Sequence, residues 1–414
     1  MRSNRVGRYL ACGGVFVVAL LCSCQVAELR DKWGVYVGDH PMSGKTMRNL
    51  DGVTSVGYTP DGGRVLVGGY RVVPWDHLEW AFVFDASTFQ ELFSPPPPRP
   101  DDKLYRSRAN RVVVDPQNRF IITAGIQTQQ VYRSPSLCIL GITGMGQGQS
   151  FGEIKVWDAK TFQLVHNLRG PAQQFCDVAV SPDGKMLAAV NSTNGLLDSP
   201  GAQTIWFWNL DSGKLVTSFH GHKHLETEPD KPPHWGGVIT TAVAFSPDGR
   251  TVVTAGHDGR ICLWDAANEF HELDGFEAHT SGVARLAYFP DGRHLASASD
   301  DGTAVIWDLK TRKPAHTLLL KNRGPLLVDV AVSPDGKTLA TADNVEVRLW
   351  DAATGTAVET LSLPYPAPSC VAFSPDGKYL AIGFDSLFTK KNGGGSDGVI
   401  QWVLADHKLR EPTK

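Results

Sequence analysis

Paired cysteines, blocks of basic residues and long apolar runs are all scarce in this 414-residue sequence. Four of the seven cysteines follow Cys24, and none of these four has Cys-x-x-Cys or metal-site spacing, so we expect no disulfide framework. The net charge is −3 without any basic block, which argues against a nucleic-acid-binding surface. The apolar run at residues 9–21 has 13 residues, which is too short to span a membrane comfortably.

The remaining composition favours a globular protein that is rich in turns. Hydrophobic residues make up 42% of the chain and charged residues 20%, so a folded core is expected and wholesale disorder is not. Glycine (42 residues) and proline (26 residues) are abundant, which favours many turns over long helices. The length allows one large all-β domain or two domains of ordinary size.

The first 24 residues have the order of a secretory signal: three arginines, then the apolar run, then the short segment ending at Cys24. The end of this segment resembles a bacterial lipobox, with Leu21 three positions and Ser23 one position before Cys24. The resemblance implies that residues 1–23 are a signal peptide, that Cys24 carries the lipid, and that residues 24–39 are a tether. It also implies an exported protein, anchored on the periplasmic side of a bacterial cell envelope. An uncleaved membrane anchor and an ordinary signal peptide are the alternatives.

Two short phrases alternate seven times along the chain. The first is a turn of the Pro-Asp-Gly type, and the second is an apolar strand with an aromatic residue near its end. The turn prolines are Pro60, Pro116, Pro182, Pro247, Pro290, Pro334 and Pro375. The aromatic anchors are Phe84, Trp157, Trp208, Trp264, Trp307, Trp350 and Trp402. A fixed period of this kind indicates a repeat architecture.

One unit can be followed from residue 282 to residue 320. It alternates strand-like and turn-like segments, with strands predicted at 282–289, 294–299, 304–309 and 314–320. The second of these strands contains mainly small residues, which fit near a crowded axis. A single four-stranded sheet cannot bury both of its faces, so such units are expected to stack around an axis.

Over roughly residues 40–405 the chain resembles the WD40-repeat β-propeller family, most closely in the segment LASASDDGTAVIWD. The resemblance implies an all-β, seven-bladed propeller. It also implies buried hydrogen-bonded tetrads, which in the fifth unit would be His279, Ser297, Asp301 and Trp307. In the fourth unit the matching residues are Thr254, Asp258 and Trp264, with His222 or His234 as the fourth member.

Some units depart from the family pattern. Asn209 replaces the aspartate after Trp208, and Val403 follows Trp402, so we expect these blades to be less rigidly tied. The residue types of the fifth-unit tetrad also occur in hydrolase triads. Because no oxyanion donors or nucleophile elbow accompany them, we expect a structural role, no enzymatic activity and no cofactor.

The segment SGKTMRNL at residues 43–50 has a partial likeness to a phosphate-binding loop. Gly38 and Gly44 are one residue too far apart for that motif, and Pro41 removes a backbone donor. The segment is more similar to the outer strands that follow Ser/Thr-Gly turns elsewhere in the chain. We therefore predict that residues 45–50 complete the last blade and close the ring, with residues 406–414 as a C-terminal tail.

Insertions separate the units into bare and elaborated ones. The interval from turn proline to aromatic anchor is 17 residues in unit 5 but 41 residues in unit 2. All insertions fall in second-to-third or fourth-to-first connections, which share one face of a propeller. Loops on a rigid scaffold commonly carry binding functions, although surface loops also tolerate neutral insertions. The aromatic residues of this face that could contact a partner are Trp75, Trp80, Tyr132, Trp235 and Phe388.

The insertion at residues 220–237 is rich in histidine and acidic residues. His220, His222, His224 and His234 are candidate transition-metal ligands, although a Gly-His pair is also a repeat feature. We predict a monomeric, membrane-tethered, non-catalytic scaffold for an unknown protein partner, which binds no nucleic acid. The alternative is a small-ligand or metal-binding propeller with its site near the axial funnel.

Overall fold

Every regular element in the described part of the chain is a β-strand. The computed structural model of the protein describes residues 52–73, 76–94, 105–129, 150–169, 174–192, 204–226, 234–237, 239–320, 329–363, 367–384, 398–405 and 408–409. These residues form 30 strands. Within the same ranges, no helix has the length and hydrophobicity needed to cross a membrane. The all-β prediction is confirmed.

The strands form seven four-stranded sheets, here called blades 1 to 7, and one two-stranded hairpin. Blade 1 contains β1–β4, at Gly52–Tyr58, Arg64–Val73, Asp76–Asp85 and Glu91–Phe93. Blade 2 contains β5–β8, at Tyr105–Val114, Phe120–Gln129, Ser150–Asp158 and Leu164–Arg169. Blade 3 contains β9–β12, at Gln174–Val180, Met186–Ser192, Thr204–Asn209 and Leu215–His220. The hairpin contains β13 and β14, at Lys223–Glu226 and His234–Gly237.

The remaining four blades follow the hairpin. Blade 4 contains β15–β18, at Thr240–Phe245, Thr251–Gly256, Arg260–Asp265 and Glu272–Glu277. Blade 5 contains β19–β22, at Val283–Tyr288, His294–Ser299, Thr303–Asp308 and Lys313–Leu319. Blade 6 contains β23–β26, at Asp329–Val332, Thr338–Ala342, Val347–Asp351 and Ala357–Thr360. Blade 7 contains β27–β30, at Pro368–Phe373, Tyr379–Phe384, Val399–Val403 and Lys408–Leu409.

The four strands of each blade lie side by side in chain order, and the described pairs are antiparallel. Because each strand reverses direction, the first-to-second and third-to-fourth turns lie on one face, here called the turn face. The second-to-third and fourth-to-first connections lie on the opposite face, here called the insert face. This arrangement agrees with the predicted separation of turns and insertions.

In five of the seven blades, the turn that carries the turn proline has the same hydrogen-bond pattern. In blade 1, the Thr59 hydroxyl donates to Asp61 Oδ1 at 2.5 Å and accepts from the Arg64 N–H at 3.0 Å. A serine–aspartate pair does the same in blades 3, 4, 6 and 7. The corresponding glycine has a positive φ, 71° at Gly62, and in blade 2 this position is Asn118 with φ 56°. Asparagine tolerates this left-handed conformation better than most residues, so the turn keeps its shape.

The third-to-fourth turns depend on the aspartate after the aromatic anchor. Asp308 Oδ1 accepts from the N–H groups of Lys310 and Thr311 at 2.9 and 3.1 Å. Asn209 Oδ1 makes equivalent contacts with the Ser212 N–H and hydroxyl, at 2.9 and 2.8 Å. In this turn the amide oxygen supplies the same acceptor as a carboxylate, and the expectation that the blade as a whole is less rigidly tied stays a prediction.

The blades form a closed ring around their first strands. Each first strand contacts the first strands of both neighbouring blades, and β1 contacts β27. Seven hydrophobic clusters fill the spaces between neighbouring blades in the described part of the chain. The cluster that closes the ring joins Val53 and Phe82 of blade 1 to Cys370 and Ala381 of blade 7. The Ser369 hydroxyl also donates to Val53 O across this junction, at 2.6 Å.

The last blade takes its outer strand from the C-terminal side of the chain. Trp402 pairs with Leu409 and Val403 with Lys408, so part of the predicted tail is a strand. Residues 45–50, which were predicted to complete this blade, lie outside the described ranges. A hairpin to the adjacent segment closes a short loop, which costs less chain entropy than pairing segments from opposite ends of the chain.

Two of the insertions are partly strand rather than loop. In blade 1, β2 and β3 each have ten residues and pair from Arg64–Asp85 out to Val73–Asp76. In blade 2, β6 and β7 pair as far as Thr128–Ser150. The bare blade 5 has strands of six residues at the same positions. The sheets of blades 1 and 2 therefore extend further toward the insert face than the sheet of blade 5 does.

Candidate functional site

The tetrad of blade 5 is one continuous hydrogen-bond chain. The Trp307 indole N–H donates to Ser297 Oγ at 2.8 Å, and Ser297 Oγ lies 2.7 Å from His279 Nε2. His279 Nδ1 lies 2.9 Å from Asp301 Oδ2. Ser297 is fully buried, and the other three side chains are largely buried. These hydrogen bonds join Ser297 in β20 and Trp307 in β21 to His279, which lies just before β19. They therefore fix the order of these strands within the blade.

Blade 4 has a second chain of the same form, and its histidine is His222. His222 Nδ1 lies 3.0 Å from Asp258 Oδ2, and His222 Nε2 lies 3.0 Å from Thr254 Oγ1. The Trp264 indole N–H completes the chain by donating to Thr254 Oγ1 at 2.9 Å. Of the two histidines left open by the sequence, the structure places His222 here. A buried histidine with both ring nitrogens occupied cannot serve as a metal ligand in the loop.

The two tetrads differ in the charge that their histidines favour. In blade 4 burial lowers the pKa of His222, but its contacts with Asp258 and Cys262 outweigh burial and raise the pKa to about 9. The blade 5 tetrad instead has the hydrogen-bond donors and acceptors of a neutral histidine. Because the indole N–H of Trp307 fills one lone pair of Ser297, the serine proton is free to point at His279 Nε2. The Nδ1–H group of His279 can then donate to Asp301, so that each polar atom in this series of hydrogen bonds has a partner. Burial lowers the pKa of His279 more than the Asp301 carboxylate raises it, which agrees with the neutral form. Ser297 is fully buried, so its hydroxyl has no access to a substrate.

Other blades keep only part of this chain. The Trp350 indole N–H donates to Thr341 Oγ1 at 3.0 Å, and the Trp157 indole N–H to Thr123 Oγ1 at 3.4 Å. Trp402, at the same repeat position in blade 7, is buried, and its indole N–H has no hydrogen-bond partner among the described residues. The tetrads thus brace blades 4 and 5 more completely than blades 2, 6 and 7.

A second set of polar residues surrounds the axis, and sequence analysis missed it. It is the fifth residue before each turn proline, and we call these seven positions the axial ring. Its members are Ser55, Arg111, Asp177, Ala242, Arg285, Asp329 and Cys370. Aligning the inner strands on their turn prolines would have found the set. The charged members are hidden in runs that otherwise read as ordinary apolar strands.

Two arginine–aspartate pairs in the axial ring join neighbouring blades. Arg111 Nε lies 3.1 Å from Asp177 Oδ1, and Arg285 Nε lies 3.6 Å from Asp329 Oδ1. The aspartates continue to the next blade, since Asp177 Oδ2 accepts from the Val243 N–H at 3.1 Å. Burial lowers the pKa of Arg285, but Asp177 and Asp329 outweigh it and raise the pKa overall. Each aspartate therefore links three consecutive blades.

A cavity of about 330 Å³ lies between the inner strands of blades 1, 2, 5, 6 and 7. Its wall includes Arg111 and Asp329 from the axial ring, together with Val112, Tyr288 and Phe373. This volume is at the lower end of the range for small-molecule pockets. Both carboxylates of the axial ring lie beside arginines.

The other predicted site residues lie mostly outside the described structure. Cys24, Trp75, Tyr132 and Phe388 fall outside the described ranges. Five others lie in strands: Trp80 in β3, His220 in β12, His224 in β13, and His234 and Trp235 in β14. The β13–β14 hairpin pairs His224 with Gly236 and Glu226 with His234. Among described residues, no three metal-binding side chains come together.

Comparison with known proteins gives one family match. The family model described as Nucleolar protein 10-like, N-terminal domain, matches residues 163–381, just over half of the chain. Together with the seven-bladed ring, this match confirms the predicted WD40-type propeller.

Individual relatives match parts of the chain. Periodic tryptophan protein 2 of Saccharomyces cerevisiae is 33% identical over 236 residues, covering 56% of this chain and 23% of that protein. Pre-rRNA-processing protein crb3/ipi3 of Schizosaccharomyces pombe is 23% identical over 206 residues, covering 50% of this chain and 35% of that protein. Protein LST8 homolog of Drosophila melanogaster is 28% identical over 131 residues, covering 31% of this chain and 37% of that protein. The chain therefore spans well under half the length of these eukaryotic relatives.

Proposed function

We propose, because the chain belongs to the family described as Nucleolar protein 10-like, N-terminal domain, that it is a non-catalytic scaffold which binds a protein partner. The binding surface in this proposal is the insert face. The observation that carries the proposal is the confinement of the insertions to that face, while the turn face keeps short, repeated turns. In this proposal the protein acts as a monomer.

The absence of catalysis in this proposal is supported by the state of the candidate residues. Ser297 and Thr254 are fully buried, and each accepts an indole N–H while lying within hydrogen-bond distance of a histidine. A nucleophile needs access to substrate and a nearby donor for the developing oxyanion. Neither requirement agrees with a side chain enclosed between two strands.

The test is a crosslinking pull-down with a variant that lacks the largest insertion. Thr128 and Ser150 are the last paired residues of the β6–β7 ladder, so replacing residues 129–149 by Asn-Gly closes the hairpin with a two-residue turn. The control variant carries Lys185→Glu and Lys337→Glu, two exposed positions on the turn face. Circular dichroism melts establish that both variants fold.

The scaffold proposal predicts a partner that is recovered with the intact chain and with the turn-face control but lost with the shortened hairpin. Recovery of the same partner with all three proteins would contradict the assignment of the insert face. Loss of the partner only in the turn-face control would move the binding surface to the opposite side of the ring. If none of the three recovers a partner, the scaffold proposal fails.

We also propose that the chain is exported and lipid-anchored at Cys24. The support is the lipobox-like segment that ends at this residue. The names of the three relatives above refer neither to export nor to a lipid. Incorporation of radiolabelled palmitate and partition into Triton X-114 should both be lost in Cys24→Ser. Equal labelling of the variant, or no labelling of the natural chain, would refute the anchor.

The alternative function is metal binding by the histidine-rich hairpin. The backbone register favours it in one respect, because Glu226 lies directly opposite His234 in the ladder. Titration of the full chain with zinc, followed by calorimetry, tests the alternative. It predicts binding that disappears in the double variant His224→Ala/His234→Ala. No zinc uptake by the natural chain would reject it.

A further inference from the structure

The contact between Arg111 and Asp177 in the axial ring is close but is not a hydrogen bond. Arg111 Nε and Asp177 Oδ1 lie 3.1 Å apart, yet both atoms are buried without a hydrogen-bond partner in the described chain. The Asp177 side chain is 4% exposed, and the Arg111 side chain is 24% exposed. Buried polar atoms are almost always paired, so an unpaired buried guanidinium nitrogen needs an explanation.

Arg111 also has donors to spare. A guanidinium group carries five N–H donors, and within the described residues the only polar contact of Arg111 is the one with Asp177. Its neighbours on the ring cannot satisfy the rest. Asp177 Oδ2 already accepts from the Val243 N–H, and Asp329 accepts from the Val330 and Val371 N–H groups. The axial ring therefore has more hydrogen-bond donors than acceptors.

These spare donors lie at a cavity of useful size. Arg111 forms part of the wall of the 330 Å³ axial cavity, whose remaining surface includes the apolar side chains of Val112 and Phe373 and the ring of Tyr288. Arg285 adds a second positive charge at the ring, 3.6 Å from Asp329. A ligand that fits would present an acceptor of hydrogen bonds to Arg111 and an apolar body to the opposite wall.

We propose that the axial cavity binds a small organic carboxylate, with the carboxylate group held by the guanidinium group of Arg111. A carboxylate matches the planar, forked donor geometry of arginine, and such pairs are among the stronger hydrogen-bonded contacts in proteins. A cationic ligand is disfavoured because both ring aspartates accept backbone N–H groups and each lies beside a positively charged arginine. This binding site is independent of the insert-face proposal, since it lies inside the ring.

The test is titration of the full chain with benzoate, observed by isothermal calorimetry and by saturation-transfer NMR. Benzamide is the neutral probe of the same shape, and inorganic phosphate is the probe for an oxyanion without an apolar body. The double variant Arg111→Gln/Asp177→Asn removes both charges together, so no unpaired charge is left buried, and the amide oxygen at 177 can still accept from Val243. Arg250→Gln, at an exposed turn-face position, is the matched single-arginine control.

The proposal predicts that benzoate binds at least tenfold more tightly than benzamide. It also predicts that the double variant loses at least tenfold in benzoate affinity, whereas Arg250→Gln does not. Arg111→Lys, which keeps the charge but not the fork, should weaken binding by a smaller factor. Equal benzoate binding by the natural chain and the double variant would overturn the proposal, as would no benzoate binding at all. Phosphate binding more tightly than benzoate would overturn the choice of an organic carboxylate.

Discussion

The energetic value of the tetrad can be measured by making the same substitution at one repeat position in two blades. Trp307 and Trp402 occupy equivalent positions in blades 5 and 7, and both are 5% exposed. The Trp307 indole N–H donates to Ser297 at 2.8 Å, whereas the Trp402 indole N–H has no partner in the described residues. Trp307→Phe and Trp402→Phe remove similar volumes, so the loss of packing largely cancels between them.

The polar terms have opposite signs in the two variants. Trp307→Phe loses a hydrogen bond with a net value of about 1 kcal/mol, while Trp402→Phe removes an unsatisfied buried donor that costs about 1–3 kcal/mol. The blade 5 variant should therefore be less stable than the blade 7 variant by about 2–4 kcal/mol. At about 1.4 kcal/mol per factor of ten, the lower figure corresponds to a roughly 30-fold difference in the local opening equilibrium.

Hydrogen–deuterium exchange resolves this difference blade by blade. The amides of β20 and β21 report on the first variant, and those of β28 and β29 on the second, each compared with the natural chain. Exchange should accelerate strongly in blade 5 and little in blade 7. Equal acceleration in both blades would show that loss of indole volume dominates and that the tetrad hydrogen bonds add nothing measurable.

Three further substitutions test other parts of the ring. Asn209→Asp makes the two contacts with Ser212 charge-assisted and should stabilise the protein by about 1 kcal/mol in thermal melts; an unchanged or lower midpoint would contradict this. Burial lowers the pKa of His279, so the unfolded chain binds a proton below about pH 6.5 that the folded blade excludes. Stability should therefore decline on acidification below that pH, and the same decline in His279→Gln would refute the assignment. Gly383→Ala would place a Cβ 2.5 Å from side-chain atoms of both blade 7 and blade 1. It should cost about 1–3 kcal/mol in urea unfolding, whereas an equal loss in Gly63→Ala would contradict a role of ring closure.

The fold could be predicted from the sequence because its determinants repeat. The turn at Pro290 and the anchor at Trp307 each carry a local physical signal, and seven copies make the period unmistakable. The outer strand of the last blade has no such signal, because Lys408–Leu409 is only two residues long. Segment 45–50 has a stronger outer-strand pattern, so pattern alone did not point to Lys408–Leu409, which pairs with β29. Pairing in a sheet depends on which segment is close as well as on which segment resembles a strand.

The tetrads were predictable because the resemblance supplied four residues at fixed spacing. The axial ring was not found, because each of its members is a single position within an apolar strand. Arg111 and Arg285 do not resemble a motif until the inner strands are aligned and their neighbours around the axis are known. Asp177, which lies next to Arg111 in the fold, is 66 positions from it in the sequence. Their contact therefore depends on the closed ring rather than on local sequence.

The structural effect of a departure from the repeat therefore depends on whether the position lies at an exposed turn or at the axis of the ring. At exposed turns a substitution that keeps the acceptor, such as Asn209, preserves the local structure. At the axial ring a buried charged residue must be compensated by a residue of another blade. Blades 2 and 5 supply the arginines, and blades 3 and 6 the aspartates that follow them. The second pair brings its charges no closer than 3.6 Å, and the first leaves Arg111 Nε without a hydrogen bond among the described residues. If ring stability alone determined these positions, apolar residues such as Ala242 would serve at lower cost. Retention of charge at the axis is consistent with a ligand that completes the pairing, which is what the benzoate titration examines.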